Sequence, residues 1–164
     1  MVQSLKKILN QRFSKKRMID FIQSNPESFD EAIVLALADE YPESWRASWL
    51  ITHVMEVDDK RIKVYVNDLI SILGEKPDGH NREIIKILLK MILNDEQEGR
   101  LFNKCMNFWE NISLSSSLRW TSMKFITRII KKYPELKNET SHLFEERYLK
   151  PLSPGIRRVI EKGL

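Results

Sequence analysis

The stretch SWRASWLITHV, residues 44–54, contains the side chains of this sequence that come closest to a chemical site. Trp45 and Trp49 are four residues apart, and His53 follows Trp49 at the same spacing. On an α-helix, residues four apart lie on adjacent turns of one face. A histidine in such a place can act as a general base or as a metal ligand, because its pKa lies near neutrality. The alternative is that this face packs against a neighbouring helix.

The chain carries an internal repeat, marked by four arginines whose successive spacings are 36, 37 and 38 residues: Arg46, Arg82, Arg119 and Arg157. Most copies have an apolar residue three and seven positions beyond the arginine. These offsets trace one side of an α-helix. A period near 37 residues that contains two antiparallel helices is typical of an α-solenoid.

Capping residues and apolar periodicity predict about ten helices, and the low content of glycine and proline supports them. Because the loops are short, consecutive helices are expected to be antiparallel neighbours. We therefore predict an all-α fold, a right-handed α-solenoid of antiparallel helix pairs. The predicted helices span residues 3–12, 15–24, 28–41, 44–57, 60–73, 80–93, 98–112, 118–133, 136–149 and 154–162.

We expect one repeat domain over residues 1–164, a length that suits a single domain. A capping helix near 3–12 would begin it, and a terminal half-repeat at 154–164 would end it. The predicted repeats between them are at about 15–41, 44–73, 80–112 and 118–149.

The fragments W-R-A-S-W-L and I-R-R-V-I-E-K-G-L resemble HEAT-repeat proteins, in which an arginine is followed by a small or apolar helix face. The resemblance covers about residues 28–164 and implies a HEAT-like solenoid with a general role in interactions. The alanines usual in that family are replaced by Trp49, Ile85 and Met123. We therefore expect the helices to stack at a wider, less regular spacing.

The repeat register favours packing over chemistry for the opening stretch. His53 falls at the position of Leu89, Ile126 and Leu164 in the other copies, so we predict a buried histidine without a chemical role. Trp49 is expected to pack for the same reason. Trp45 precedes the arginine at the start of the helix and is a candidate contact residue.

Two further sets of residues have both a structural and a chemical interpretation. Cys105 aligns with Leu69 among apolar neighbours, which predicts a buried, inert thiol instead of a nucleophile. The four repeated arginines are expected to hydrogen-bond helix-end carbonyls or an acid of the preceding repeat. The alternative is a row of guanidinium groups that grips a polyanion.

The sequence contains none of the common catalytic or nucleotide-binding motifs, such as G-x-S-x-G, a Walker A loop, H-E-x-x-H or C-x-x-C. We therefore predict no enzyme activity, no catalytic residue, no cofactor and no metal. A single cysteine favours a reducing compartment. No apolar run approaches the ~20 residues of a membrane span. We expect a cytoplasmic location and no membrane partner.

Two surfaces are candidates for binding. In a solenoid the second helix of each pair usually lines the concave side, and its polar residues here suit a protein or peptide. They are Lys63, Asn67, Ser71, Asn103 and Asn107. The other surface has the composition of one that tracks phosphates and stacks bases, although an ordinary solvated helix face looks the same. It consists of Trp120, Lys124, Arg128 and Lys131.

The predicted function is a non-enzymatic scaffold or adaptor that binds a protein or peptide. The alternative is a nucleic-acid-binding protein, because some DNA alkylation-repair glycosylases are HEAT-like solenoids. Those enzymes use an acid flanked by tryptophans, and Trp109–Glu110 is the nearest approximation here. Trp109 aligns with Leu73 in the predicted core, so their catalytic residues are not carried over. The small net charge, +4, favours the protein partner.

Overall fold

The structure is a computed structural model that describes residues 4–11 and 14–163. Within these ranges it contains helices and no strand, which confirms the all-α prediction. A short 3-10 helix covers Ser141–Phe144. The α-helices are α1 (Leu5–Asn10), α2 (Lys15–Ser24), α3 (Ser28–Leu37), α4 (Glu43–Val54), α5 (Lys60–Lys63), α6 (Val66–Ile72), α7 (Asp78–Leu89), α8 (Asp95–Glu110), α9 (Ser116–Lys132), α10 (Leu136–Glu139), α11 (Glu146–Leu149) and α12 (Pro154–Glu161).

Polar side chains cap the starts of several helices. The hydroxyl oxygens of Ser4, Ser14 and Ser115 accept backbone N–H groups at the starts of α1, α2 and α9. Asn94 and Gln97 form a reciprocal capping box at the start of α8. These contacts satisfy N–H groups that have no partner inside the helix. The capping residues therefore determine where these helices begin.

Two predicted helices are broken in the structure. The helix predicted at 60–73 divides into α5 and α6 at Val64 and Tyr65, a β-branched and an aromatic residue with low helix propensity. The helix predicted at 136–149 divides into α10, the 3-10 helix and α11. There the Thr140 hydroxyl donates to the carbonyl of Leu136 at 2.7 Å, a local bond that competes with regular helix.

The helix predicted near 3–12 corresponds to α1, and residues 3 and 12 themselves lie outside the described ranges. Leu164, which the repeat alignment places at a core position, also lies outside them.

By its internal contacts the chain divides into two compact units, Met1–Ile92 and Leu93–Leu164. In the first unit, α4 packs against α3 on one side and against α7 on the other, while α1 and α2 also contact α4. Its core is built from the apolar faces of these helices, including Phe29, Ile33, Leu50, Ile51, Ile84 and Leu88.

The second unit is built on α8 and α9, which pack against each other along their lengths. Its core includes the indole of Trp109, whose Nε1–H donates to the carbonyl of Leu143 at 2.9 Å. Around it lie Leu101, Cys105, Leu118, Phe125 and Ile126, all buried.

Side-chain hydrogen bonds join residues that are about one repeat apart. Lys90 Nζ donates to the carbonyl of Thr52 at 2.6 Å, across 38 residues. Lys132 Nζ donates to both carboxylate oxygens of Glu98 at 2.9 Å, across 34 residues. Lys90 directly follows α7, whereas Lys132 at the end of α9 contacts the start of α8, its antiparallel neighbour. The Lys90–Thr52 separation of 38 residues agrees with the period read from the arginines.

Candidate functional site

The repeated arginines bind the backbone or acids of neighbouring segments. Arg46 Nη1 donates to the carbonyl of Leu9, near the end of α1, at 2.6 Å. Arg157 Nη2 donates to Glu146 at 2.8 Å, and its Nε donates to Glu161 at 2.6 Å. These contacts are the structural ones predicted, a helix-end carbonyl in one copy and an earlier acid in another.

Arg119 is the most deeply buried of the four, with 1% of the residue exposed. Its Nε donates to the carbonyl of Trp109 at 2.9 Å, and its Nη2 donates to the carbonyl of Tyr148 at 2.7 Å. The guanidinium carbon also lies 4.6 Å from the centre of the Trp109 ring. Burial lowers the pKa of this arginine. Arg119 therefore joins three segments of the second unit and presents no cation to a ligand.

Arg82 donates through Nε and Nη2 to Oε1 of the adjacent Glu83, at 3.2 and 3.1 Å. Lys86 Nζ reaches the same oxygen at 3.1 Å. Glu83 is completely buried, and its other oxygen has no hydrogen-bond partner among the described residues. Two neighbouring cations balance the charge of this carboxylate, as buried acids require. Sequence reasoning did not find this residue.

The prediction that His53 is buried is wrong. The residue is exposed, and its ring lies 4.2 Å from that of Trp49, with Nδ1 2.7 Å from the carbonyl oxygen of Trp49. The buried face of α4 runs through Ser44, Ala47, Ser48 and Ile51. His53 is nine residues beyond Ser44 and therefore points to the opposite side of the helix. Leu89, at the equivalent position in α7, is itself only half-buried, so an offset of seven from the arginine does not mark a core position in every copy.

The buried histidine is His80, which is 1% exposed. Its Nε2 lies 2.9 Å from the carbonyl oxygen of Ala36, near the end of α3, so Nε2–H is the donor. Burial lowers the pKa of His80. The repeat held a signal for this position, because His80 stands two residues before its arginine, as the buried Ser44 does.

Cys105 is completely buried, as predicted, and burial raises the pKa of its thiol. A thiol that stays protonated is a poor nucleophile and a poor metal ligand. This residue packs the core of the second unit.

Both tryptophans of the opening stretch are half-buried. With Leu9, Met18 and Arg46 they line a cavity of about 660 Å³ in the first unit. The Trp45 Nε1–H is buried without a hydrogen-bond partner among the described residues and packs near Gly79. The guanidinium of Arg46 donates a hydrogen bond to the carbonyl of Leu9. The stretch is thus a half-buried aromatic surface, and no histidine, cysteine or acid occurs among the described residues that line the cavity.

The residues of the predicted protein-binding surface are all exposed. In the first unit, Lys63 lies on α5, while Asn67 and Ser71 lie on α6. In the second unit, Asn103 and Asn107 lie one turn apart on α8. Their exposure is compatible with binding, and their role stays a prediction.

The residues of the predicted nucleic-acid surface all lie on α9. Lys124, Arg128 and Lys131 are exposed, whereas Trp120 is half-buried. The Lys124 ammonium lies 5.4 Å from the centre of the Trp120 ring. A cation therefore lies over one face of the ring, where it competes with a stacked base.

Sequence reasoning missed a group of exposed apolar side chains around Asp58 in the first unit. Val57, Val64 and Ile92 are 80%, 77% and 69% exposed. The N–H of Asp58 donates to the carbonyl of Lys90 at 2.8 Å, and the N–H of Ile92 donates to Asp58 Oδ1 at 3.1 Å. We call Val57, Val64 and Ile92 the Asp58 patch.

No group of three or more histidine, cysteine or acidic residues that could hold a metal ion occurs in the described ranges. None of the helices described is long and apolar enough to cross a membrane.

Comparisons with known proteins give one positive result. A family model described as HEAT repeat domain matches residues 3–164. No curated protein and no solved structure matches the chain. The match covers almost the whole sequence, in agreement with the helical repeat and the bonds at repeat spacing. The chain belongs to the HEAT repeat domain family.

Proposed function

We propose that this protein is a non-enzymatic scaffold that binds a protein partner through the Asp58 patch. HEAT repeats generally mediate protein interactions, and membership of that family supports this class of function. The observation that carries the proposal is the exposure of three large apolar side chains on segments that Asp58 links by hydrogen bonds. Large apolar side chains exposed as a group are typical of an interaction site.

Hydrogen bonds within the chain hold the backbone around the patch without a partner. Besides the two backbone contacts of Asp58, Lys63 Nζ donates to Asp58 Oδ2 at 3.2 Å. Val64 follows Lys63 directly, so one aspartate connects the segments that carry all three apolar side chains. The Lys90 ammonium further joins this region to Thr52 in α4. A preorganised surface loses little conformational entropy on binding.

Exposed polar residues follow the patch along the chain on α5 and α6. Lys63 is exposed beside Val64, and Asn67 and Ser71 continue the exposed face of α6. An apolar centre with a polar edge is the usual anatomy of a protein–protein interface. In this proposal the predicted residues of the first unit form the edge and the Asp58 patch forms the centre.

The proposal is tested by affinity capture from the native cell with quantitative mass spectrometry. One bait carries Val57→Asp with Ile92→Asp, and a matched control carries the same change at two other exposed valines, Val34 and Val159. All four side chains lie mostly or about half in solvent, so the fold should be kept. Thermal unfolding checks this for each bait.

The expected result is a protein that the wild-type and control baits capture and the patch variant loses. Its capture should withstand nuclease treatment. Partners that all three baits retain equally would contradict the patch as the binding surface. Capture that depends entirely on nucleic acid would favour the alternative function.

The α9 surface keeps nucleic-acid binding as the alternative, because three exposed cations follow one helix face. Lysine and arginine side chains in a row can neutralise successive phosphates. We place this alternative second, since the Trp120 ring is half-buried and the Lys124 ammonium lies over one of its faces.

A further inference from the structure

The second unit contains an apolar groove between α9, the segment 134–144 and α12. Its volume is about 570 Å³, within the range of roughly 300–1,000 Å³ that ligand sites commonly have. Ile130, Phe144 and Ile160 form the walls. Phe144 is 40% exposed, so part of its ring faces solvent at the groove. Covering this apolar surface with a ligand would remove it from water, which is favourable.

The charged side chains that line this groove carry one sign of charge. Lys131 on α9 and Lys137 on α10 both line it and are exposed. Neither ammonium forms an ion pair with a described residue, and no acid occurs among the described residues that line the groove. An apolar groove with two cations at its edge is complementary to an apolar ligand that carries carboxylates.

One hydrogen-bonding group in the groove lacks a partner. The Thr127 hydroxyl oxygen is buried and forms no hydrogen bond with any described residue. Thr127 lines the same groove. A peptide backbone bound there would supply a carbonyl or N–H at this point, whereas a purely apolar ligand would leave the hydroxyl unsatisfied.

We infer that this groove binds a peptide segment in which apolar residues are flanked by aspartate or glutamate. The apolar side chains would contact Ile130, Phe144 and Ile160, and the carboxylates would pair with Lys131 and Lys137. The apolar walls disfavour a phosphate backbone, although the two lysines alone would accept one. This inference goes beyond the proposed function, because the site lies in the second unit and does not depend on the Asp58 patch.

The test is selection from a random-peptide display library against the full chain. Selected peptides should combine apolar residues with aspartate or glutamate. In fluorescence anisotropy, Lys131→Glu with Lys137→Glu should weaken a selected peptide roughly tenfold or more, because repulsion replaces attraction. Phe144→Ala should weaken it by about tenfold through lost apolar contact.

A matched control carries Lys124→Glu with Lys150→Glu, the same change of charge on exposed lysines that do not line the groove. Its affinity for the selected peptide should stay near the wild-type value. Exchanging the acids of the peptide for lysines should abolish binding to the wild type and restore it to the Lys131→Glu/Lys137→Glu variant.

Several results would overturn the inference. They are a failure to select any peptide, selection of peptides without acids, or affinity that is unchanged by the groove variants. A concentration-dependent dimer in sedimentation that Phe144→Ala dissociates would assign the groove to a second copy instead. Because the variants of the Asp58 patch leave this groove intact, the two proposals fail separately.

Discussion

At the scale of single residues, we expect the largest loss of stability when Arg119 is replaced. Its guanidinium satisfies two backbone carbonyls in the interior of the second unit. Arg119→Met keeps much of the apolar volume but leaves both carbonyls without a donor. We expect the free energy of unfolding to fall by about 2–4 kcal/mol, measured by urea denaturation.

The control is Arg128→Met, the same change at an exposed position of the same helix. Surface substitutions usually change stability by less than about 0.5 kcal/mol. If both variants lose the same free energy of unfolding, the buried arginine has no special structural role.

His80 makes stability depend on pH. Burial lowers the pKa of folded His80, and the hydrogen bond to the Ala36 carbonyl opposes this; Lys76 lowers the pKa further and Asp39 raises it. The unfolded pKa is about 6.5. The stabilisation that neutral, buried His80 contributes is therefore fully present above pH ~6.5, its unfolded pKa. As pH falls below it, the unfolded state binds the proton first, and the contribution is lost until the folded pKa is reached.

We expect unfolding experiments to show lower stability at pH 5 than at pH 7, and His80→Gln to reduce this difference. His53→Gln is the control, because His53 is exposed and should leave the dependence unchanged. If the exposed histidine carries the pH dependence instead, the assignment of His80 is wrong.

At the scale of helices, Asp59 stabilises the start of α5. Its carboxylate accepts the N–H groups of Glu56 and Arg61 at 3.1 and 3.0 Å. The Arg61 guanidinium also donates to it, at 2.7 Å through Nη2, and lowers its pKa to about 2. Asp59→Ala removes both the cap and the ion pair. We expect a loss of about 1–2 kcal/mol in the free energy of unfolding at neutral pH.

The same residue contributes to acid sensitivity. Its stabilisation is present above the unfolded pKa of about 3.9 and is lost as pH falls through the folded value. Asp68→Ala, an exposed change on α6, should leave stability almost unaltered. A melting curve of Asp59→Ala that matches the wild type between pH 2 and pH 7 would contradict this role.

Periodicity predicts the long helices well, because α4, α7, α8 and α9 each bury one face that is largely built from apolar residues. It does not predict the break at Val64 or the turn at Thr140, since these depend on local hydrogen bonds and propensities. It also misplaces His53, because the position seven residues beyond the arginine is buried at Ile126 but only half-buried at Leu89. The Asp58 patch was missed for a related reason: loop contacts bring it together, and these leave no period.

At the scale of the whole molecule, the family match and the side-chain hydrogen bonds across about one repeat support a HEAT repeat domain. The chain divides into two compact units. Its charge argues against nucleic acid as the principal ligand, since the net value is only +4. We expect no measurable binding to duplex DNA at physiological salt in fluorescence anisotropy. Sub-micromolar binding, with a log–log salt slope that Lys124→Ala and Arg128→Ala flatten by roughly two units, would promote the alternative.

The scaffold account is tested most directly by a hydrogen–deuterium exchange footprint of the full chain with and without its captured partner. It predicts that a protein partner slows exchange in the segments 57–64 and 90–92, where the Asp58 patch lies, and that Val57→Asp with Ile92→Asp removes this protection. Protection confined to α9, or a complex that leaves both segments unchanged, would contradict it.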